Sequence, residues 1–320
     1  MAAVEITALG PETSSEAAKG AAMAPVIVIA IDEDTDPGVA RVAGQLAAGL
    51  GSRVVLVHVA AREQVASARG RLALERTLRR GHETMYGFRR ELPDDVDVGQ
   101  RVEFGPTVET LCEILREEQA ELLVVGSRGR GRLASTLLGS VSRSLARRAP
   151  CPVTIINPHA AAPGRGRSGN GGPPRLVSGV DGSERSLAAA RLASSLASRL
   201  GYRLILVHAR HPAATIPAVT AAEAERAATI VVERALAAVG GDAEGRIESA
   251  PPASALQSVA DREGARAIVV GVRGGHALRG PDLLSVSTQL LGRARCPVIV
   301  VAEPTGSAGG EAYGEVHRAA

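Results

Sequence analysis

The hydrophobic residues of this chain fall into short continuous runs that alternate with longer stretches of helical spacing. Residues 26–31 form a β-branched run that closes on Asp32, and residues 122–125 form another apolar run that ends at Gly126. Such runs are typical of strands buried on both faces of a parallel sheet. Between them, apolar positions recur every three or four residues, as on the buried side of an amphipathic helix. The pattern predicts alternating strands and helices, with both faces of the sheet covered.

The first half of the chain contains a full set of these elements. Strands are predicted at residues 26–31, 53–59, 96–104, 122–125 and 153–156. Asp36 and Pro37 have the residue types of a helix N-cap and a first helical position, and Gly51 is typical of a helix end. The long Arg-rich stretch that ends near Leu92 is helical by composition, although Gly81 interrupts it. One five-stranded α/β unit is therefore expected here.

The second half repeats the order of the first. Asp181 closes an apolar run 149 positions after Asp32, and His208 lies 150 positions after His58. A period near that length, with the order of the elements preserved, indicates a duplicated domain. The sequence therefore predicts an α/β protein of two tandem Rossmann-like, doubly wound domains, each with a five-stranded parallel sheet.

Composition separates the predicted domains from flexible segments. Residues 1–24 are small and polar and are predicted to be a disordered tail, and residues 303–320 are predicted to be a loose C-terminal tail. Gly, Pro and Ala are concentrated at residues 158–174, which are predicted to form a linker. The two domains are therefore expected at residues 25–157 and 175–302.

Composition and charge also exclude several classes of function. Aromatic residues make up 2% of the chain and Trp is absent, which argues against a surface that stacks single-stranded nucleic acid. The net charge of +3 gives no strong electrostatic case for DNA binding. Lys19 is the only lysine, so the predicted domains lack the lysine of P-loop and kinase sites. No nucleic-acid partner is expected.

The cysteines and the apolar runs bear on the location of the protein. Cys112, Cys151 and Cys296 are too few and too widely spaced for a disulfide scaffold or a zinc site. No apolar stretch approaches the roughly 20 residues that a membrane span needs. Residues 1–24 lack a signal-peptide core. A cytoplasmic protein without a metal site or a membrane partner is therefore expected.

A glycine-rich loop follows the run at residues 122–125. Two residues separate Gly126 from Gly129, and nine separate Gly129 from Gly139, which Ser140 follows. A strand, a glycine loop and a helix start in this order point backbone N–H groups at phosphate, because the helix start leaves donors unpaired and carries roughly half a positive charge. The alternative interpretation is a surface loop rich in Gly and Arg. Since Asp32 also follows a strand, it is expected to share one crevice with this loop.

The spacing of the loop resembles the nucleotide-binding signature of the universal stress protein family, G-x2-G-x9-G-[ST]. The Gly-Val-Asp-Gly-Ser segment at residues 179–183 resembles the family's usual first-strand ending. His58-Val59 and His208, which follows Val207, resemble its second-strand ending, and both Cys-Pro-Val segments are similar to its final strand. The resemblance to a tandem universal stress protein extends over nearly everything except the tails and the linker.

The resemblance implies that the first domain binds ATP. In the family, the first-strand Asp and the residue after the second-strand His line the adenosine end, and the glycine loop holds ribose and phosphates. Carried over, the site residues are Asp32, Val59, Gly126, Gly129, Gly139, Ser140 and Val141. Because Glu33 and Asp34 would add negative charge near the phosphates, a cation such as Mg2+ is expected with the ATP.

The resemblance also implies a mode of assembly. Domains of this family commonly pair through their last strands. Here the predicted strands that end near Ile156 and Val301 are therefore expected to pair, either between the two domains of one chain or between two chains as a homodimer.

The second domain departs from the signature. Gly271 and Gly274 have the right separation, but Leu284 stands where the third glycine belongs, followed by Ser285. A Leu side chain would obstruct the approach of backbone to phosphate. A weak second site that involves Asp181, Gly271, Gly274 and Ser285 is the most that is expected.

The leading hypothesis is an ATP-binding protein with a regulatory or sensing role in the stress response. No general base is evident, so slow ATP hydrolysis is the most activity that we expect. Two alternatives remain open. Residues 178–183 faintly resemble the S-G-G-x-D-S phosphate loop of ATP pyrophosphatase-like adenylating enzymes. The chain could also be a protein-interaction module that has lost nucleotide binding.

Overall fold

Strands and helices alternate through both halves of the chain. A computed structural model describes residues 24–60, 70–127, 139–161, 172–210, 220–272 and 286–302. The strands are β1 (Val26–Ala30), β2 (Arg53–Ala60), β3 (Val98–Phe104), β4 (Leu122–Gly126), β5 (Val153–Ile156), β6 (Arg175–Gly179), β7 (Arg203–Ala209), β8 (Glu244–Glu248), β9 (Ala267–Val272) and β10 (Val298–Ala302). The helices in these ranges are α1 (Gly38–Leu50), α2 (Gly70–Arg89), α3 (Thr107–Glu117), α4 (Ser140–Arg148), α5 (Pro158–Ala161), α6 (Glu184–Leu200), α7 (Ala221–Val239), α8 (Pro252–Glu263) and α9 (Val286–Arg293).

All of these strands belong to one ten-stranded sheet with the order β3-β2-β1-β4-β5-β10-β9-β6-β7-β8. The five strands of each half pair in parallel. At the centre β5 and β10 pair antiparallel, with Val298 opposite Ile155 and Val300 opposite Val153. The predicted five-stranded parallel sheet is confirmed in each half. Of the two predicted pairings of the last strands, the structure has the one within a single chain.

Aliphatic side chains cover both faces of the sheet. One cluster joins α1, α2, α6 and α7 to the strands, with residues such as Ile29 and Val269 from the two halves. The opposite cluster joins α3, α4, α8 and α9, with residues such as Leu123 and Ile268. Full burial of such a side chain stabilises the fold by about 1.5–3 kcal/mol. Because each cluster contains residues from both halves, the two halves stabilise one another.

The structure confirms one of the two predicted ends of helix α1 and corrects the other. Gly51 ends the helix in the left-handed conformation, at φ 62°, and its amide donates to the carbonyls of the last turn, which confirms the predicted helix end. The predicted start is wrong by one residue. Pro37 is the N-cap, and the Asp36 carboxylate accepts a hydrogen bond from the Gly38 amide at 2.7 Å. The carboxylate therefore caps the turn before the helix.

Asn157 connects the two halves just after β5. Its buried Nδ2 donates to Leu291 O at 3.4 Å and Ala294 O at 2.8 Å, at the carboxyl end of α9. Its Oδ1 accepts from the amides of His159 and Ala160, both at 2.9 Å, at the start of α5. One side chain thus satisfies the end of a helix in the second half and the start of a helix that follows the first half.

A second connection lies between α1 and α6. A Cβ atom added to Gly49 would lie 2.6 Å from Leu200 Cδ2, so the two helices approach closely at this glycine. Arg199 donates to Leu50 O at 3.3 Å and forms an ion pair with Glu121. The contact therefore combines close packing with polar bonds across the two halves.

Thr154 is a polar residue in the middle of the sheet, with an exposed fraction of 2%. Its hydroxyl has no hydrogen-bond partner in the described part of the chain. We expect Thr154→Val to raise the free energy of unfolding by about 1 kcal/mol, because a buried polar group without a partner costs about 1–3 kcal/mol and Val keeps the shape. Urea unfolding measured by circular dichroism tests this expectation.

Thr35→Val is the matched control. The Thr35 hydroxyl donates a hydrogen bond to Asp32 Oδ1 at 2.6 Å and accepts one from the Asp32 amide at 2.9 Å. The same substitution should therefore lower the free energy of unfolding at this position. A lower stability of Thr154→Val, or an equal effect at both threonines, would contradict the assignment of an unpaired hydroxyl.

Candidate functional site

The order of the strands reverses between β1 and β4 in the first half. From β1 the chain continues to β2 and β3 on one side, and then to β4 and β5 on the other. Asp32 lies two residues after the end of β1, and Gly126 is the last residue of β4. In open parallel sheets, ligands bind outside the carboxyl ends of the strands at such a switch point. The predicted crevice therefore lies where this fold favours a ligand.

A tight turn holds Asp32 at the end of β1. The Thr35 hydroxyl and the Asp34 amide donate to Asp32 Oδ1, at 2.6 and 3.1 Å. The Asp32 amide in turn donates to the Thr35 hydroxyl at 2.9 Å. These bonds orient the carboxylate of Asp32 just beyond the carboxyl end of β1.

The two ends of the glycine loop are held against each other. The Gly139 amide donates to Ser127 O at 2.9 Å, and the Ser142 hydroxyl donates to Gly126 O at 2.8 Å. The amide of Ser127 donates to Ile156 O at 2.8 Å, which links the loop to β5. The start of α4 is therefore fixed next to the end of β4. Ser142 was not predicted as part of the site, although its place in the first turn of the predicted helix was visible.

Helix α4 begins with donors that its own backbone does not use. The first bond of the helix runs from the Arg143 amide to Gly139 O at 3.0 Å, so the amides of Ser140, Val141 and Ser142 precede it. The N-cap, Gly139, has no side chain to accept from them. Ser140 and Val141 are exposed. Such a helix start attracts an anion, because its donors and the helix dipole act together.

The predicted site residues differ in how far the structure describes them. Asp32, Gly126 and Gly139 lie at the carboxyl edge of β1 and β4, and Val59 lies near the end of the neighbouring β2. Gly129 lies outside the described residues, as do Gly274 and Ser285 of the predicted second site. The remaining predicted positions, Ser140 and Val141 in the first half and Asp181 and Gly271 in the second, are described.

His58 and His208 occupy equivalent places near the ends of β2 and β7. Nδ1 of His58 lies 3.1 Å from Ile31 O, and Nδ1 of His208 lies 2.9 Å from Val180 O. A carbonyl oxygen only accepts, so Nδ1 carries the proton in both rings. Each histidine therefore binds the carbonyl group just before the Asp of its own half. The sequence shows a similar His-Asp spacing in both halves but not this contact.

The second half has a comparable turn at Asp181. Its Oδ1 accepts from the Ser183 amide at 2.9 Å and from the Ser183 hydroxyl at 2.6 Å. Partial burial raises the pKa of Asp181, but these hydrogen bonds outweigh that effect and hold the pKa below its ordinary value. Ser183 also caps α6, since its hydroxyl accepts from the Ser186 amide at 3.2 Å.

The end of β9 is more crowded than the glycine pattern alone would predict. A Cβ atom added to Gly271 would lie 2.8 Å from Arg185 O in the first turn of α6. Gly271 is therefore required by the packing of this helix against the strand. Ser178, the first residue of the segment that resembles an adenylating phosphate loop, is fully buried in β6. Because Ser178 is fully buried, its hydroxyl is not exposed to a ligand, which weakens that alternative.

The described ranges contain no group of three or more His, Cys, Asp or Glu side chains arranged to hold a metal ion. Among the helices in these ranges, none is both long enough and apolar enough to cross a membrane.

The protein consists of two five-stranded parallel α/β units that are joined through their last strands. Each unit has a switch point at its carboxyl edge, and this arrangement defines a tandem Rossmann-like protein. The chain belongs to the universal stress protein family, whose sequence profile matches residues 23–157 and 174–302. Universal stress protein Rv2005c of Mycobacterium tuberculosis (strain ATCC 25618 / H37Rv) is 37% identical over 215 residues, which are 64% of this chain and 69% of that protein.

Solved structures are similar to this chain as well. A universal stress protein from Archaeoglobus fulgidus DSM 4304 matches with a TM-score of 0.66 and 17% identity, over 87% of this chain and 98% of that one, which shows the fold. A universal stress protein solved in complex with cAMP matches 40% of this chain and 97% of its own, with 27% identity and a TM-score of 0.30. That second match extends over less than half of this chain.

Proposed function

We propose that the first half of this protein binds ATP in the crevice between β1 and β4, and that the protein acts as an ATP-dependent sensor or regulator in the stress response. The observation that carries the proposal is the start of α4. Its amides at Ser140 and Val141, which have no backbone acceptor within the described ranges, lie beside the end of β4 at the switch point of the sheet. This arrangement supports an anionic ligand with a phosphate group.

The phosphates of ATP would lie against main-chain donors of the glycine loop. Gly126 and Gly139 are the described glycines at the ends of this loop, and Gly129 is the third glycine of the motif. The absence of side chains at these positions lets the backbone approach the phosphates. The Ser140 hydroxyl and the amides of Ser140 and Val141 would donate to the phosphate oxygens.

The adenosine would lie toward β1 and β2. Asp32, held by its turn, offers a carboxylate, and Val59 offers backbone groups at the end of β2. Mg2+ would accompany the phosphates, because Asp34 is an exposed carboxylate in the turn and would otherwise repel them. Magnesium is usually held by phosphate oxygens together with one or two carboxylates, so this set of groups suffices.

The second half is proposed to bind ATP weakly or not at all. The first turn of α6 lies against Gly271, and Leu284 replaces the third glycine of the motif. Asp181, Gly274 and Ser285 are the other residues that a weak site would use. Without the third glycine of the motif, the main-chain contacts to phosphate would be lost and only contacts to the nucleoside would remain.

Isothermal titration calorimetry with ATP and Mg2+ on the full chain tests the proposal. We expect one ATP per chain, because only the first half has the complete glycine motif. Two equal sites would contradict the proposal for the second half. No measurable binding would contradict the whole proposal and would favour a protein-interaction module. Release of pyrophosphate in the presence of a carboxylate substrate would favour the adenylating enzyme.

A further inference from the structure

At the carboxyl end of the β1–β2 pair, a histidine side chain replaces a backbone amide as the hydrogen-bond donor. This replacement is called the donor exchange below. The Ile31 amide donates to Val57 O at 2.9 Å. In a parallel pair, the next bond would run from the Val59 amide to Ile31 O. That bond is not found within the described residues, and Nδ1 of His58 lies 3.1 Å from Ile31 O in its place.

The second half repeats the donor exchange. The Val180 amide donates to Val207 O at 2.9 Å, and the next bond would run from the Ala209 amide to Val180 O. This bond is again not found where the structure describes the chain, and Nδ1 of His208 lies 2.9 Å from Val180 O. The donor exchange is therefore built into both copies of the domain and is independent of the glycine loop, whose third glycine the second copy lacks.

The position of the His58 ring is defined from its other side by α2. A Cβ atom added to Gly81 would lie 3.2 Å from His58 Cδ2 and 3.5 Å from the nearest methyl group of Val102. Gly in a helix interior costs about 1 kcal/mol relative to Ala. Gly81, which lowers the helical propensity of this segment, thus provides the space that the imidazole occupies. His58 is itself buried.

We propose that His58 is a positioning residue for the nucleoside end of the site, a role that rests on the proposed binding of ATP in the first half. The imidazole holds the Ile31 carbonyl and so fixes the peptide that precedes Asp32. By taking this acceptor, it also leaves the Val59 amide available to a ligand. His58 acts through Asp32 and Val59 and does not itself contact the nucleotide.

The alternative to this role is that His58 serves only the stability of the fold. The two roles predict different results, because His208 makes the same contact in the half that is proposed to lack an ATP site. If the contact serves stability alone, the two histidines should be equivalent in every measurement. If it positions the ligand groups, only His58 should affect the affinity for ATP.

His58→Leu and His58→Asn separate the two effects in the full chain. Leu fills much of the same space without a donor, whereas Asn keeps an N–H donor close to the position of Nδ1. We expect His58→Leu to weaken ATP binding about 10-fold, because the Val59 amide can then bond to Ile31 O and one ordinary hydrogen bond to the ligand is lost. His58→Asn should restore most of this affinity. The measurement is the Kd from calorimetry with ATP and Mg2+, and circular dichroism establishes that each variant is folded.

His208→Leu is the matched control, with an expected Kd equal to that of the parent. Equal affinity of His58→Leu and the parent would overturn the proposed role of His58 while leaving ATP binding in place. An equal loss in His208→Leu, or no difference between His58→Leu and His58→Asn, would assign the contact to stability. Absence of ATP binding in the parent would refute the proposed function, and the role of His58 with it.

Discussion

Gly139→Leu is expected to abolish ATP binding, with an affinity loss of about 100-fold or more. Gly139 is the N-cap of α4 and has φ −58° and ψ 152°, a conformation that any residue can adopt. Backbone strain is therefore not the reason for the loss. A Leu side chain would occupy the space where the phosphates meet the Ser140 and Val141 amides. Loss of two hydrogen bonds to a charged group, at about 1.5–3 kcal/mol each, gives the expected size of the effect.

Thermal shift and calorimetry with ATP, AMP and NAD measure this effect. The parent should be stabilised by ATP, and Gly139→Leu should not, while the two should unfold at similar temperatures without ligand. Leu is the natural choice because Leu284 holds the equivalent position in the second half. Undiminished ATP binding in Gly139→Leu would contradict the assignment of this glycine to the phosphates.

Gly87→Leu is the control for the added side chain itself. A Cβ atom at Gly87 would meet nothing within 4 Å, so the same substitution there only adds apolar surface to α2. The variant should bind ATP with the affinity of the parent. A similar loss in both variants would indicate a general effect of an added Leu on the protein.

Asn157→Ala is expected to lower the free energy of unfolding by about 3 kcal/mol, the largest stability effect that we predict. The substitution leaves buried carbonyl groups at Leu291 and Ala294 without this donor, and it removes the acceptor for the start of α5. A buried polar group that loses its partner costs about 1–3 kcal/mol, and more than one such group is affected here. Urea unfolding of the full chain measures the change.

Asn157→Ser divides this effect into its two parts. A Ser side chain can still cap the start of α5, as Asn157 Oδ1 does for the amides of His159 and Ala160, but it is too short to reach the end of α9. We expect Asn157→Ser to recover about 1 kcal/mol, the usual contribution of an N-cap. Equal stability of the parent and Asn157→Ala would refute the role of this residue in joining the two halves.

The domain duplication and the parallel sheets were predictable because they depend on repeated local patterns. Continuous apolar runs that end at Asp32 or Gly126 predict buried strands, and the repeat near 150 residues predicts a second copy. The glycine spacing marked the end of β4 and the start of α4 as a candidate site. Each of these signals lies within a short segment and needs no knowledge of distant contacts.

Other features could not be predicted, since they join residues far apart in the chain. Asn157 contacts Leu291 in α9 and Ala294 just after it, more than 130 positions later, and nothing in its own segment indicates this. Gly81 looked like a defect in a helix until the ring of His58 was seen to occupy the space beside it. Gly271 was predicted as part of a weak second site, and its close packing against the first turn of α6 could not be seen in the sequence.

The sequence by itself determined two parallel α/β units and their order along the chain, because periodicity and strand endings are properties of neighbouring residues. It left open whether the last strands pair within one chain or between two. Only the tertiary structure decided this, since the antiparallel pairing of β5 with β10 depends on the exposed edges of both sheets and on cores that run through both halves. The same holds for His58, whose partner was defined only when β1 and β2 lay side by side.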